Sequence, residues 1–406
     1  MKLSDEEKRM LDGARGEATQ LAMQIITEIG ETYGAQELIQ ISSVHAGAIY
    51  PQLESSPSLL EKFANLGAKF KVPTTIDPSH NVKNFDKWPD FKDPEDFKSR
   101  CIRLENNIMK MGATPTWSCT PYFQGNIPRF KQDICWMESS AISFANSVLG
   151  ARTNRTTMGV DIAAAITGRV AKFGLHLERN RVGNVLIKME FTPKSLYDYH
   201  TIGYIVGKYF GDKVPVFENL PEWTTANQLK CLGAAAASRG AISLYHAVGI
   251  TPEARTMGDV FKKNKPEKIL KIGEKEIKEA IEEINTYKGG HLDAVLIGCP
   301  HPHIEEIEKL ALLLYNKKVR KDIKFCLFIS SDVFNYAQKM GLIKTIEESG
   351  VSIFEGECII WNPTYVWNWK NVATNSAKYA NILPSDPTYM DVLYVNMERC
   401  VELSTE

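Results

Sequence analysis

The sequence has no apolar run of about 18 residues or more, so it predicts no membrane-spanning helix. Its first residues, Met-Lys-Leu-Ser-Asp-Glu-Glu-Lys-Arg, lack the apolar core that a secretory signal requires. The 48 basic and 49 acidic side chains nearly cancel. Because the chain lacks the strong charge that draws proteins to nucleic acid or to anionic membranes, we expect it to bind neither.

Cysteine pairs of the CxxC type are absent, and eight cysteines in 406 residues are too sparse for a disulfide scaffold. We therefore expect a cytoplasmic protein with reduced thiols. A GxxxxGK[ST] loop, a GxGxxG turn after a strand and a GxSxG elbow are absent as well. These absences argue against nucleotide-driven chemistry and against an α/β-hydrolase.

Apolar patterning in the last third of the chain predicts alternating strands and helices. The predicted order is strand 293–297, helix 304–314, strand 323–330, helix 333–340 and strand 351–354. This alternation is typical of a parallel sheet covered by helices, so the predicted fold class is α/β with mainly parallel sheets. The length permits two or three domains, and we expect lobes at roughly 1–112, 113–262 and 283–406.

Earlier in the chain the pattern predicts three more strands and several helices. The strands are 38–44, which leads to His45, 114–118, which leads to Cys119, and 184–191. The helices include 94–111, 160–166, 195–209 and the Ala-rich, closely packed segment 226–238. The lysine-rich run 262–282 is predicted to be a solvated loop and helix face.

Cys119, Cys299 and Cys358 each follow a predicted strand or the loop after it. Ligands of parallel α/β sheets gather beyond the carboxyl ends of strands, so these positions suit a binding site. Three thiolates there can hold an iron–sulfur cluster and leave one iron open for substrate. The alternative is that each cysteine is a small buried apolar side chain, the commonest role of a cytosolic cysteine.

The run Cys299-Pro300-His301-Pro302-His303 permits another interpretation. One thiolate and two imidazoles can bind zinc or a single iron. The alternating prolines would splay the three side chains, however, and His303 more simply starts the next helix. We therefore prefer the cluster.

Small polar side chains, without lysine or glutamate, line one side of the predicted helix 139–149. Such a stripe indicates either a buried polar pocket or close packing against another backbone. Arg152 and Arg155 follow it and flank Thr153 and Asn154. Guanidinium groups bind carboxylate or phosphate in a bidentate manner, although structural salt bridges would leave the same pattern.

Two further features can bind an anion or move a proton. Residues 374–378, Thr-Asn-Ser-Ala-Lys, follow a predicted strand and open a helix, which makes them an anion cradle or an ordinary helix cap. His45 and His246 are either acid–base groups or buried core histidines.

Several longer motifs occur in order along the chain. They are Pro115-Thr-Trp-Ser-Cys-Thr-Pro-Tyr122, Glu138-Ser-Ser-Ala141, Ala145-Asn-Ser-Val-Leu-Gly-Ala-Arg-Thr-Asn-Arg155, Ala163-Ala-Ala-Ile-Thr-Gly168, Gly174-Leu-His176, Gly249-Ile-Thr-Pro-Glu-Ala254, Gly298-Cys-Pro-His301 and Thr374-Asn-Ser-Ala-Lys378. With these motifs the chain resembles the aconitase X family, in its large-subunit form, over essentially its whole length. Several long motifs in the same order are far more specific than any one alone.

The resemblance implies an aconitase-like arrangement of domains 1–3 and a hydro-lyase that eliminates water from a small hydroxy acid. It also implies an iron–sulfur centre on Cys119, Cys299 and Cys358. A 4Fe–4S cluster is favoured, with a 2Fe–2S cluster or a single iron as alternatives. In the superfamily the base is thought to be a serine on a small swivelling domain. Because all 406 residues match the large-subunit pattern, we expect this base on a separate small subunit.

The motifs and their chemistry also indicate which side chains bind the substrate. These candidates are Ser139, Ser140, Asn146, Arg152, Asn154, Arg155, Thr374, Asn375, Ser376, Lys378 and His45. The alternatives to an iron–sulfur dehydratase are a mononuclear-metal lyase that uses the same cysteines and a non-catalytic binding subunit.

The resemblance leaves the substrate open. Known activities of the family are dehydration of mevalonate 5-phosphate in archaea and of cis-3-hydroxyproline in bacteria. Phosphomevalonate dehydratases typically continue Glu-Gly-Gly-Pro where this chain, after Arg155, continues Thr156-Thr-Met-Gly-Val-Asp161. Asp161 and Trp117 look more like the hydroxyproline branch.

Overall fold

The computed structural model describes residues 1–47, 51, 53–79, 84, 87, 94–361, 368–385 and 388–406. Within these ranges no helix is both long and apolar enough to cross a membrane. The strands fall into three successive regions of the chain, and each region contains a parallel sheet. The predicted lobe boundaries stay predictions.

The first region combines a small parallel sheet with a separate antiparallel strand pair. Its helices are α1 (Asp5–Leu11), α2 (Glu17–Thr32), α3 (Ser55–Asn65), α4 (Pro94–Met111), α5 (Ser139–Ser147) and α6 (Val160–Thr167). Its strands are β1 (Leu38–Gln40), β2 (Val44–Ala46), β3 (Thr74–Ile76), β4 (Cys135–Trp136) and β5 (Arg169–Ala171). The parallel sheet has the order β3-β2-β4, and β1 pairs with β5.

The second region is a parallel sheet of four strands in the order β8-β7-β6-β9. The strands are β6 (Val185–Met189), β7 (Pro215–Glu218), β8 (His246–Ala247) and β9 (Lys268–Ile272). The helices are α7 (Leu196–Phe210), α8 (Ala226–Arg239), α9 (Met257–Phe261) and α10 (Glu274–Ile284).

The third region is a five-stranded parallel sheet in the order β12-β11-β10-β13-β14. The strands are β10 (Ala294–Ile297), β11 (Lys324–Ile329), β12 (Ser352–Glu355), β13 (Asn371–Thr374) and β14 (Asp391–Tyr394). The helices are α11 (Ile304–Leu314), α12 (Ser331–Lys339), α13 (Leu342–Glu348), α14 (Ala377–Ile382) and α15 (Met397–Ser404). The predicted alternation is confirmed here.

Helices α7 and α8 join the second and third regions. Their apolar residues form one core with residues of both sheets. The two helices also pack backbone to backbone, because a Cβ at Gly203 would lie 2.2 Å from the Leu232 carbonyl oxygen. The close packing predicted for the Ala-rich helix is therefore confirmed.

The prediction of one strand over 38–44 is wrong, because these residues belong to two sheets. After β1, the Ile41 N–H donates to the Gly168 carbonyl at 3.2 Å and the Ser42 N–H to the Asp133 carbonyl at 2.9 Å. The chain then enters the other sheet as β2. Apolar patterning cannot show that a segment changes its pairing partner part-way.

The prediction of a strand over 114–118 is also wrong. Thr114 forms only an isolated bridge with Thr75. The Thr116 hydroxyl then accepts the Ile76 N–H at 2.9 Å, and Trp117 has a φ of 42° that no strand allows. The Thr116 side chain therefore replaces a backbone carbonyl as the acceptor for the Ile76 N–H.

The lysine-rich run 262–282 is only partly the solvated segment that we predicted. Residues 268–272 form β9, which pairs with β6 at the edge of the second sheet. Its lysines are exposed, and charged side chains commonly protect such an edge from further pairing. The high lysine content of this run therefore did not reveal the edge strand that it contains.

Candidate active site

A cavity of about 440 Å³ lies between the first and third regions and is lined by all three candidate cysteines. Cys299 follows β10 through Gly298, and Cys358 follows β12 after a short loop. Cys119 precedes the helical turn Pro121–Phe123 of the first region. Two of the three thiols thus lie beyond the carboxyl ends of parallel strands, where such sheets bind ligands.

His301 contacts all three cysteine segments. Its backbone N–H donates to the Cys119 sulfur at 3.2 Å. Its ring Nε2 lies 2.9 Å from the Glu357 carbonyl oxygen, next to Cys358, and Nδ1 lies 3.3 Å from the Ser118 hydroxyl. A carbonyl only accepts, so Nε2 carries the proton. Burial lowers the pKa of His301 to about 4, which keeps the ring neutral.

The alternative site on Cys299, His301 and His303 is not supported. Both ring nitrogens of His301 already face hydrogen-bonding partners. His303 caps α11 through its backbone N–H, which donates to Glu306 at 2.9 Å. In the described ranges, no group of three or more His, Cys, Asp or Glu side chains is placed to hold one metal ion.

The chemistry of the three thiols fits a centre with more than one iron. Burial raises the pKa of Cys119 and Cys358 above the usual value and that of Cys299 to about 12, so each thiolate needs a nearby cation. The three sulfurs line one cavity but are not placed to bind the same metal ion. In an iron–sulfur cluster each thiolate binds a different iron, so this arrangement suits a cluster. The buried Tyr379 hydroxyl lies close to the Cys358 sulfur and has no oxygen or nitrogen partner among the described residues, so it can donate to an acceptor sulfur.

Lys378 and Glu138 form a buried ion pair on the cavity wall. Lys378 Nζ lies 2.5 Å from Glu138 Oε1 and donates to the Ser139 hydroxyl at 3.3 Å. Glu138 caps α5 by accepting the Ala141 N–H at 2.6 Å. Burial opposes the charge on Glu138, but Lys378 and these donors hold the pKa of that carboxyl below its usual value. Both groups are therefore charged near neutral pH.

Asp77 is a second buried acid on the cavity wall. Burial raises its pKa to about 6. Its Oδ1 lies 3.6 Å from Nε2 of His45, whose Nδ1 lies 2.9 Å from the Thr75 hydroxyl. Asp77 can therefore hold or release a proton near neutral pH.

The sequence alone predicted no role for Asp77 or Glu138. Asp77 comes directly after β3, a position beyond a strand end like those that singled out the cysteines. Glu138 directly precedes α5, where an acid is a typical helix cap. Both signals are common in proteins, so neither residue stood out before the fold brought them to one cavity.

Of the predicted substrate-binding residues, Ser139, Arg155 and Lys378 line the cavity. Ser140 lies behind it and donates to Glu138 at 2.5 Å. His45 also lies behind it, next to Asp77.

The segment 374–378 works mainly as a helix cap. The Thr374 hydroxyl accepts the Ser376 N–H at 3.2 Å, and Ser376 accepts the Tyr379 N–H at 3.2 Å. Asn375 lines a different cavity, beside α8 and α11. Lys378 lines the cysteine cavity, and the Ser376 side chain is in hydrogen-bonding contact with the Cys299 thiol.

Asn146, Arg152 and Asn154 lie away from the cysteine cavity and are held by structural contacts. Asn146 accepts from the guanidinium of Arg181 at 3.0 Å and donates to the Ser243 carbonyl. Arg152 pairs with Glu178. Asn154 binds the backbone of Phe173 and Leu175. Asn146 therefore joins the first two regions, whereas Arg152 and Asn154 hold the segment that follows β5.

We predict that Gly298→Ala disrupts the loop that carries Cys299. Gly298 has a φ of +125°, and a Cβ there would lie 2.1 Å from the Phe328 carbonyl oxygen. Overpacking and backbone strain together are expected to lower the free energy of unfolding by ~2–4 kcal/mol in chemical denaturation. Gly258→Ala is the control, because its Cβ would meet only the Thr256 hydroxyl at 3.5 Å. Equal stability of the two variants would contradict the prediction.

Family comparisons match nearly the whole chain. Residues 1–179, 183–282 and 292–406 match the models of the first, second and third aconitase X domains. The large subunit of phosphomevalonate dehydratase from Methanocaldococcus jannaschii is 40% identical over 95% of this chain and 96% of its own length. Cis-3-hydroxy-L-proline dehydratase from Pseudomonas aeruginosa is 30% identical over 98% of this chain and 68% of its own length.

A solved structure agrees with these relatives. The crystal structure of Thermococcus kodakaraensis aconitase X in its holo-form superposes with a TM-score of 0.89 at 34% identity, over the whole of both chains. The fold, the cavity and the relatives define a dehydratase, a hydro-lyase of the aconitase superfamily. The chain belongs to the aconitase X family. The predicted family, fold class and enzyme class are confirmed.

Proposed function

We propose that this chain is the large subunit of an iron–sulfur-dependent dehydratase that eliminates water from a small hydroxy acid. The main support for this proposal is that Cys119, Cys299 and Cys358 line one cavity together with Asp77 and Lys378. An iron with an open coordination position would supply Lewis acidity toward the leaving hydroxyl oxygen. All eight cysteines are unpaired, which fits the reducing cytoplasm that we propose as its location.

Arg155 and Lys378 are the residues that we propose bind the substrate anion. Arg155 lines the cavity, is exposed, and makes no ion pair within the described ranges. An ammonium group has three donors, and Lys378 uses two of them on Glu138 and Ser139. The third donor and the Arg155 guanidinium are available for a carboxylate or phosphate.

Asp77 is the residue that we propose gives a proton to the departing hydroxyl group. Its raised pKa lets the carboxyl group keep a proton closer to neutral pH than an ordinary aspartate does. His45, which is held by Thr75, faces this carboxyl group at 3.6 Å. We propose that the base for the carbon-bound proton, a serine, comes from a separate small subunit, since the names of relatives such as the Methanocaldococcus jannaschii large subunit imply such a partner.

We predict that Asp77→Asn lowers kcat by about 10²–10⁴-fold, the usual contribution of a positioned acid, with little change in KM. Steady-state kinetics with the active complex tests this. Asp133→Asn is the matched control, because Asp133 also pairs with a histidine, His176 at 2.7 Å, but lies outside the cysteine cavity. A kcat for Asp77→Asn equal to that of the control would remove Asp77 from the proton pathway.

Mevalonate 5-phosphate is the first substrate candidate. Two phosphomevalonate dehydratase large subunits are 40% and 37% identical to this chain, which spans 96% and 94% of their length. Cis-3-hydroxy-L-proline is the second candidate, because the segment after Arg155 departs from the pattern of the first. Thr156, Thr157 and Met158 of that segment line the cavity, so we propose that they select the substrate.

Asp161, which had favoured the hydroxyproline branch, is buried away from the cavity lining. It accepts the backbone N–H groups of Gly47, Gly159 and Ile162 at 2.6–3.0 Å. Asp161 therefore shapes the loop and is not proposed to touch the substrate.

The test is anaerobic expression together with the small subunit, followed by separate incubation with each hydroxy acid and detection of the product by NMR. We expect turnover of mevalonate 5-phosphate. Turnover of cis-3-hydroxy-L-proline alone would favour the second candidate, and turnover of neither by a preparation rich in iron and sulfide would exclude both. Active protein with iron but no labile sulfide would favour the mononuclear alternative. Metal-free, inactive protein would favour a binding subunit.

A further inference from the structure

A buried ion pair lies behind the cysteine loop. Lys230 of α8 is 1% exposed, and its Nζ lies 2.6 Å from Oε1 of Glu306 in the first turn of α11. Removing both charges from water is expensive, and an apolar pair of similar volume is often as stable. The pair lines no part of the cysteine cavity, so substrate binding does not explain it.

The pair contacts the cysteine loop directly at two backbone groups. Lys230 Nζ donates to the His301 carbonyl at 3.2 Å. Glu306 accepts the His303 N–H at 2.9 Å. One buried cation and one buried anion thus hold both sides of the short segment that follows Cys299.

His301 connects the ion pair to the segments that carry Cys119 and Cys358. Its N–H donates to the Cys119 sulfur, and its ring bridges the Ser118 hydroxyl and the Glu357 carbonyl. Ser118 and Glu357 directly precede Cys119 and Cys358 in the chain. The cysteine segments of the first and third regions therefore meet at His301, which is itself anchored to α8 of the second region.

We propose that Lys230 and Glu306 are positioning residues that act through His301 to hold the Cys119, Cys299 and Cys358 segments in the arrangement that retains the metal centre. This inference rests on the proposed iron–sulfur function. Groups behind the ligands of a metal centre typically change metal affinity by about ten- to a hundredfold when they are removed.

The test uses the double variant Lys230→Met/Glu306→Leu, which removes both charges and leaves no unpaired ion in the core. The matched control is Glu7→Leu/Arg169→Met, which removes another largely buried pair, 3.0 Å apart, that contacts none of the cysteine segments. Each protein is isolated anaerobically with its small subunit, and the rate of iron release to a chelator is measured beside the thermal unfolding midpoint. A double variant that folds but releases iron about ten- to a hundredfold faster than wild type supports the proposal. Release at the wild-type rate overturns it.

A second readout separates this inference from the proposed function. Alkylation of Cys119 and Cys358 by iodoacetamide, followed by mass spectrometry, is measured on metal-free chains. Faster alkylation in the double variant than in wild type and control is expected if the pair positions the loops. If wild-type protein never contains iron and sulfide, the proposed function fails, and this measurement alone decides the positioning role. Equal alkylation in all three proteins would then overturn it.

Discussion

Replacing Cys299 by alanine is expected to remove iron and sulfide from the protein and to lower turnover by about a thousandfold or more. Cys299 is 6% exposed and lies beyond the carboxyl end of β10. It is close enough to interact electrostatically with both Cys119 and Cys358. Metal analysis and kcat of the purified variant measure the effect.

Cys326→Ala is the control for this prediction. Cys326 is 2% exposed, lies within β11 and does not line the cysteine cavity. Its replacement removes a buried sulfur of the same size, so the iron content is expected to match wild type. Full iron and sulfide in Cys299→Ala would show that the three cysteines are core residues and not metal ligands.

Lys378→Met is expected to have the second largest effect, on both stability and turnover. The substitution leaves Glu138 as a buried charge without its cation, which typically costs about 3–5 kcal/mol in the free energy of unfolding. It also removes a proposed donor to the substrate. Chemical denaturation and kcat/KM measure the two losses separately. Lys208→Met is the control, because Lys208 pairs with Glu283 at the surface, where such pairs contribute about 0–1 kcal/mol.

The pH dependence of this difference has a definite sign. In wild type the pKa of Glu138 is held below its usual value, so its contribution to stability is present above the unfolded-state pKa and is lost as the pH falls through the folded-state pKa. Without Lys378, burial instead raises that pKa, and protonation then stabilises the variant at low pH. The stability gap between wild type and Lys378→Met is therefore expected to narrow as the pH falls from 7 toward 4. A gap that widens on acidification would contradict the ion pair.

The sequence was most informative where local pattern and chemistry agree. The bounds of helix 94–111 and helix 304–314 were predicted correctly because apolar spacing and flanking residues point the same way. The alternation of strands and helices in the last region also placed Cys299 and Cys358 at strand ends. Cys119 lines the same cavity as Cys299 and Cys358, although the strand predicted before it is absent from the described residues.

The parts that could not be predicted depend on contacts between distant segments. Asp77 and Lys230 look like ordinary charged residues in the sequence, and only the packed fold gives them buried partners. Arg152 shows the opposite error. It sits in the same motif as Arg155, but the fold directs it to Glu178 and leaves Arg155 alone at the cavity. A motif therefore indicates a family well, whereas individual roles within it require the partners that folding supplies.

The most direct test of the central claim is analysis of iron and acid-labile sulfide in protein isolated without oxygen together with its small subunit. We predict brown protein with about four iron atoms and four sulfides per large subunit, the content of the favoured cluster type. Both should disappear in Cys119→Ala, Cys299→Ala and Cys358→Ala. Colourless wild-type protein that carries zinc or no metal, with no labile sulfide, would contradict the account.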